Sequence, residues 1–313
     1  MARHHLAVAL LPPPPLAAVV DTLRSAIGSS SLSRIPPHLT LVPPVNVRAD
    51  VLPSVERIME ECAATTPTFD LRLGPVTTFA PRTPTVHLAA GGRTPPDDET
   101  LRTLRDHLLR GPLERPEQFP FTPHVTLERR ADPEAIPGVV TALGSFDERW
   151  SVRSLHLLEH RRPEHRPPYW EPVLEVPLGP AVVVGRGGIE LDLRTLGMLG
   201  PADAAWLGCG RLGPFPPPGG GTPVVLTARF VGVAGAPCGA AVGELLGGRV
   251  ARLHTVVVAG AERGLGIGAQ LLAAWCSEAA SLGAEVLLAD AVEGSEFLSR
   301  HGFVAVGDVM VRG

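Results

Sequence analysis

Two segments of the chain carry the same reactive pattern. Pro37-His38-Leu39-Thr40-Leu41 recurs as Pro123-His124-Val125-Thr126-Leu127, so the histidines at 38 and 124 stand 86 residues apart. In an extended strand residues i and i+2 share a face. His38 with Thr40, and His124 with Thr126, therefore project as two His/Thr pairs. Placed side by side, the strands bring two imidazoles and two hydroxyls to one cleft. That set suits in-line displacement at phosphorus: one imidazole takes a proton from water, the other protonates the departing oxygen, and the hydroxyls bond the non-bridging oxygens. An ordinary pKa near 6.5 lets one ring be neutral while the other is charged. A lone strand histidine is more often a satisfied core residue, but a repeated five-residue pattern argues against that here. The spacing is too long for a solenoid and fits two halves of one globular unit.

A second constellation lies far downstream. Arg263-Gly264-Leu265-Gly266-Ile267-Gly268-Ala269 follows the β-branched run Val256-Val257-Val258 and opens an apolar-periodic helix with Leu271, Leu272 and Trp275. Glycine permits close backbone approach, and amides at a helix N-terminus bind phosphate. Gly264-x-Gly266 alone is a weak dinucleotide signal, and Asp290 stands roughly where a ribose-binding acid belongs, so spacing leaves that alternative open.

The elements that must position these residues fall into two textures. Up to residue 178, short apolar strands alternate with charged helices, and this region holds nine of the eleven histidines. Strands are expected at His5–Leu11, His38–Val42, Phe69–Leu73, Thr85–Ala89, His124–Leu127, Ser154–Leu158 and Val173–Val176. Helices are expected at Leu16–Ile27, Val51–Ala64, Asp97–Leu109 and after Pro133. From 179 to 313 the chain is Gly- and Ala-rich. Strands are expected there at Val224–Phe230, Ala240–Leu246, Leu253–Val258, Glu285–Ala289 and from Phe303, and helices at Gly268–Ser281 and Gly294–Arg300. Pro214–Gly221 reads as a flexible loop. The boundary falls near Leu178-Gly179-Pro180, just before Gly185-Arg186-Gly187-Gly188.

Composition narrows the chemistry. The 313 residues are 44% hydrophobic and 19% charged, which supplies ample core material and suggests two domains. The net charge of −4 comes from 28 basic and 32 acidic residues, and every basic residue is Arg. Without lysine there is no Walker-type phosphate loop, no Schiff-base chemistry and no lysyl-nucleotide ligation. Self-acetylation on lysine is likewise excluded. Cys62, Cys209, Cys238 and Cys276 are too dispersed for a disulfide framework or a zinc site. The apolar run Leu6–Leu11 is too short for a signal-peptide core, and no stretch reaches membrane-span length. A soluble, cytoplasmic protein is expected.

Over residues 1–178 the chain resembles the 2H phosphoesterases, within them the LigT-like RNA 2′,3′-cyclic phosphodiesterases once described as 2′-5′ RNA ligases. The shared features are the opening strand Leu6–Pro12, both His-x-Thr motifs, Phe79-Ala80-Pro81-Arg82 before Val86-His87-Leu88, and Tyr169-Trp170-Glu171-Pro172. The resemblance implies an α/β (α+β) fold of two lobes related by a pseudo-two-fold, with the cleft between them. It implies metal-independent opening of a terminal cyclic phosphate to a 2′-phosphate, on RNA 3′ ends or smaller cyclic nucleotides, with His38, Thr40, His124 and Thr126 catalytic. Arg129, where family members often carry a phosphate-binding arginine, is the candidate phosphate ligand. Phe79, Arg82 and Tyr169 are candidates for base stacking, or else core and surface residues. His156, His160 and His165, among Arg161, Arg162 and Arg166, read as a solvated or RNA-facing loop rather than a metal cluster.

Over about 239–307 the chain resembles the GNAT acetyltransferases, a mixed-sheet fold, through Arg263-x-x-Gly266-x-Gly268 and Arg300-His301-Gly302-Phe303. This implies acetyl-CoA lying along Val256–Val258 with its pyrophosphate on the amides of Arg263 to Ala269, and an unidentified acetyl acceptor that is external or the chain's own N-terminus. Many such enzymes carry a Tyr general acid where this chain has Leu298 beside Phe297; Ser299 or water would have to replace it. His254 and Glu244 are candidate bases. Coenzyme binding without turnover stays open as an alternative.

Overall fold

The computed structural model describes residues 3–116, 119–180, 182–186, 189–197, 199, 201–208, 221–231, 236–247, 249–290 and 295–313. The chain divides into two compact units, Met1–Pro180 and Ala181–Gly313.

The first unit runs β1 (Arg3–Leu10), α1 (Pro14–Ala26), β2 (Leu39–Arg48), α2 (Leu52–Thr65), β3 (Phe69–Thr78), β4 (Val86–Gly92), α3 (Pro95–Leu108), β5 (His124–Glu128), α4 (Ile136–Leu143), β6 (Glu148–Val152), β7 (Ser154–Arg161) and β8 (Tyr169–Pro177). Prolines occupy the first turn of α1, where the missing N–H costs no intrahelical bond. Thr94 and Asp97 close a capping box at the start of α3. The strands form one sheet in the order β6-β3-β4-β5-β2-β1-β7-β8. Its two halves, each built on a strand–helix–strand unit (β1-α1-β2 and β4-α3-β5), meet through the pair Leu39↔Val125. Leu39, Leu41, Val125 and Leu127 point into the core, with exposures of 0–1%. The alternate residues Thr40 and Thr126 are therefore delivered to the opposite face.

The second unit runs β9 (Val182–Arg186), β10 (Ile189–Leu196), α5 (Pro201–Trp206), β11 (Thr222–Phe230), β12 (Gly239–Leu245), β13 (Val250–Val258), α6 (Ile267–Ser281), β14 (Val286–Asp290), α7 (Ser295–Ser299), β15 (Val304–Val306) and β16 (Val309–Arg312). The sheet order is β15-β16-β14-β13-β12-β11-β10-β9. β13 and β14 run parallel, with α6 as their crossover; the other strand pairs are antiparallel. Trp275 of α6 is fully buried and donates its indole N–H to the Val224 carbonyl at 2.9 Å.

Several elements differ from the sequence expectation. His38 precedes its strand, which starts at Leu39 and continues to Arg48. β3 and β8 are longer than expected, and β6, β9, β10 and α5 were not anticipated. The Pro214–Gly221 loop, apart from Gly221, lies outside the described residues, as do Gly187, Gly188, Cys209 and Gly294.

Candidate active site

His38 and His124 are held alike. The Nδ1–H of His38 donates to the carbonyl of Pro36 at 2.8 Å, and that of His124 to the carbonyl of Thr122 at 2.7 Å. A carbonyl oxygen only accepts, so the proton sits on Nδ1 and the neutral ring keeps its lone pair on Nε2. Continuing the antiparallel register of Leu39↔Val125 sets His38 toward Thr126 and Thr40 toward His124. All four side chains are half-buried on the face away from the core.

Both rings resist protonation. Burial is the main cause at His38, reinforced by Arg24, His124 and Arg129, and outweighs the Pro36 hydrogen bond to bring its pKa down to about 4. His124 is lowered by burial and by Arg129, against the opposing Thr122 hydrogen bond. Arg129 is exposed, and its charge disfavours protonation of both motif histidines.

Two residues that sequence reasoning left without a role sit directly behind this centre. Arg24, 1% exposed, binds the carbonyls of Thr126 and Ile35 and the carboxylate of Asp21. Leu16, Val20 and Arg24 recur every four residues, so an arginine occupies the buried stripe of α1. His87, 2% exposed, stacks on Phe79 with ring centres 3.9 Å apart. Glu128 also joins the two halves, accepting N–H bonds from Ser30 and Arg130. Burial pushes its pKa up, but backbone donors hold it below the ordinary value.

The remaining candidates are dispersed. Arg82 is exposed and its guanidinium lies 5.0 Å from the ring centre of Phe119. Tyr169 pairs with Arg161 in the β7–β8 ladder. His156 is buried near Glu175, His160 packs on His5 and Trp170, and His165 is exposed in a turn, so the three do not converge.

In the second unit, β14 pairs with β13 only from Val250 to Leu253. Among the described residues β13 pairs beyond Leu253 only with β12, so the run Val256–Val258 carries main-chain groups on an edge to which β14 is not paired. The register shift between β12 and β13 falls at His254, whose Nε2 lies 3.1 Å from Glu244 Oε1. Gly264 and Gly266 adopt φ of +84° and +79°, a region open to glycine, and α6 begins at Ile267. Arg263, Gly264, Leu265 and Gly266 are exposed, Gly268 and Ala269 half-buried, and Ile267 is a core residue. Leu298 is buried in the core, and Phe297 is the α7 residue facing Gly268. The position expected for a general acid is thus taken up by core packing.

Residues 12–164 match the model of the 2′-5′ RNA ligase superfamily. A Halalkalibacterium halodurans protein named as a candidate phosphoesterase is 31% identical over 38% of this chain and 67% of its own length. The chain belongs to the 2′-5′ RNA ligase superfamily. A Bacillus pumilus protein, also named as a candidate phosphoesterase, is 26% identical over 48% of this chain and 86% of its length. Among solved structures, Escherichia coli LigT with 3′-AMP aligns at 22% identity and a TM-score of 0.44, covering 56% of this chain and 99% of that one. Residues 207–303 match the GNAT acetyltransferase family model. A GNAT-family protein from Desulfovibrio desulfuricans aligns at 16% identity and a TM-score of 0.30, covering 39% of this chain and 94% of that one. Among the described residues no helix is long and apolar enough to cross a membrane.

Proposed function

We propose that the first unit opens a terminal RNA 2′,3′-cyclic phosphate to a 2′-phosphate by acid/base catalysis between His38 and His124, without a metal. The observation that carries this reading is the matched pair of Nδ1–H donors to the carbonyls two residues upstream, which presents two Nε2 atoms with the same tautomer to one face. One neutral imidazole takes a proton as the oxygen of water bonds to phosphorus. The bond from phosphorus to the 3′ oxygen breaks, and the other ring, protonated, delivers its proton to that oxygen. Thr40 and Thr126 donate to the non-bridging oxygens, and Arg129 offers two parallel N–H donors to the anion. An anion in the cleft favours the charged form of the rings, offsetting the burial that keeps them neutral without substrate.

The second unit, in this reading, binds acetyl-CoA, which supplies an activated acetyl group for an external acceptor. The residues fit it: among the described residues no strand pairs with the β14-side edge of Val256–Val258, which suits an amide-bearing chain, and the amides from Arg263 to Ala269 at the start of α6 suit a pyrophosphate. Glu244 and His254, in hydrogen-bond contact, are the candidate proton acceptors for an amine. Coenzyme binding without transfer is the second reading, favoured by the burial of Leu298 and the lack of a hydroxyl on Phe297. A cytoplasmic setting, where RNA ends and acetyl-CoA occur together, goes with both units.

The test is hydrolysis of an RNA oligonucleotide ending in a 2′,3′-cyclic phosphate, with EDTA present, by the wild type, His38→Ala and His124→Ala. A 2′-phosphate product lost in both variants supports the proposal. Turnover confined to small cyclic nucleotides would change the substrate, and activity surviving in either variant would remove the two-histidine mechanism.

A further inference from the structure

The two halves of the first unit are equivalent in their motifs but not in what lies beside them. In one half, Thr40 of β2 pairs with Ala9 of β1. At the corresponding place in the other half, Thr126 of β5 pairs with His87 of β4. A methyl group therefore stands on one side where a complete imidazole stands on the other. Ala9 and His87 are both buried, so neither is placed to touch a substrate.

His87 does not act like a core residue that happens to be polar. Its ring stacks on Phe79 with centres 3.9 Å apart and planes 24° apart. Both rings then meet His124 by their edges: the centre of His87 lies 5.1 Å from that of His124, and the centre of Phe79 5.0 Å away at 89°. Among the described residues Nδ1 of His87 is buried without a hydrogen-bond partner, so what the ring offers His124 is its stacked and edge contacts rather than that nitrogen.

His124 needs such support. Its one hydrogen bond among the described residues, to Thr122, fixes one ring atom but leaves the ring free to pivot about that bond. The residue opposite it on β4 is Ala89, which is too small to stop the motion. Two rings meeting it edge-on from one side would stop it.

We propose that His87 is a positioning residue: stacked on Phe79, it braces the His124 ring so that Nε2 stays aimed into the cleft, and it makes His124 mechanically distinct from His38. This rests on the reading of His124 as a proton-transfer group. A neutral His87 is required, since a charged ring would repel a protonated His124. Burial, with His124 adding to it, holds the pKa of His87 at about 4. The other charges around His124 are His38 across the cleft, the exposed Arg129 and Arg24 behind β5.

The experiment compares wild type, His87→Ala and His87→Phe in the full chain. It measures kcat and KM on the cyclic-phosphate oligonucleotide and, without substrate, the NMR titration of the His124 imidazole. Loss of the brace in His87→Ala is expected to lower kcat at least about tenfold with little change in KM. The same variant admits water beside His124, so its titration midpoint moves up toward the ordinary histidine value. His87→Phe keeps a ring on Phe79 and is expected to restore both readouts. Wild-type kcat and an unmoved titration in His87→Ala would overturn the proposal. So would a His87→Phe variant as impaired as the Ala variant, because the ring would then act through its nitrogens. If the wild type turns over no cyclic phosphate, the proposed function fails, and the substrate-free titration still decides whether the brace exists.

Discussion

Arg24 donates two N–H groups to the main-chain carbonyl of Thr126, from Nε at 3.1 Å and from Nη2 at 2.9 Å. Its third bond, from Nη1 at 3.1 Å, goes to the Ile35 carbonyl just ahead of the first motif. One buried guanidinium thereby ties the second motif strand to the segment leading into the first. The planar fork is what allows a single side chain to serve acceptors in two directions, and an ammonium lacks that geometry. Arg24→Met leaves two carbonyls without their donors and is expected to cost about 2–4 kcal/mol. Arg24→Lys is expected to recover little of it. Urea unfolding measures the loss, and an Arg24→Met variant as stable as wild type would contradict this account.

The pH dependence of kcat/KM follows from the two motif histidines taken as a pair. The ring acting as base must be unprotonated, so the rate is lost as pH falls through the lower pKa. The ring acting as acid must be protonated, so the rate is lost as pH rises through the higher one. His38 titrates at about 4 and His124 below its ordinary 6.5. The bell is therefore expected to peak on the acid side of 6.5. A rate profile for cyclic-phosphate opening between pH 3 and 9 checks this, and a maximum above neutrality would contradict it.

Arg129 has two expected effects that separate in one variant. Its charge disfavours protonation of both His38 and His124, so Arg129→Ala raises both pKa values and moves the whole bell to higher pH. Losing a bidentate phosphate donor also raises KM, by roughly tenfold for an interaction of about 1.5 kcal/mol. Arg129→Lys should recover the pH profile but only part of the KM. An unshifted profile with unchanged KM would place the side chain away from the phosphate.

The motif strands were legible because a period of two, with Leu39 and Leu41 or Val125 and Leu127 inward, leaves His and Thr only one other face. Their meeting across a single pair, Leu39↔Val125, was not, because register between strands 86 residues apart leaves no local trace. The spacing of Arg24 from Leu16 and Val20 marks it as a residue of the buried stripe, but the carbonyls it serves, 102 and 11 residues away, leave no trace in α1. His87 lay inside a quoted segment, yet a strand histidine between Val86 and Leu88 gives no sign of the neighbour it stacks on. β6 escaped notice because Glu148, Arg149 and Ser151 face solvent on an edge strand, and the alternation of Trp150 with Val152 is too short to stand out.

The acetyl transfer proposed for the second unit can be tried directly at α7. Position 298 is where the resemblance to the GNAT acetyltransferases would place a tyrosine, but Leu298 is 6% exposed and packed in the core. Leu298→Tyr must therefore force a larger ring and a hydroxyl into filled space, and is expected to destabilise the unit by about 1–3 kcal/mol. Phe297 is the α7 ring that faces Gly268, with its Cζ 3.7 Å from where a Cβ on that glycine would sit. Phe297→Tyr adds a hydroxyl at that end of the ring, beside the start of α6, without disturbing the core. Acetyl transfer to a panel of small amines, followed by release of free thiol, is expected to rise in Phe297→Tyr and not in Leu298→Tyr. If Leu298→Tyr proved as stable as wild type and the more active of the two, the hydroxyl would reach the coenzyme from position 298, and the side chain would have to leave the core to do so.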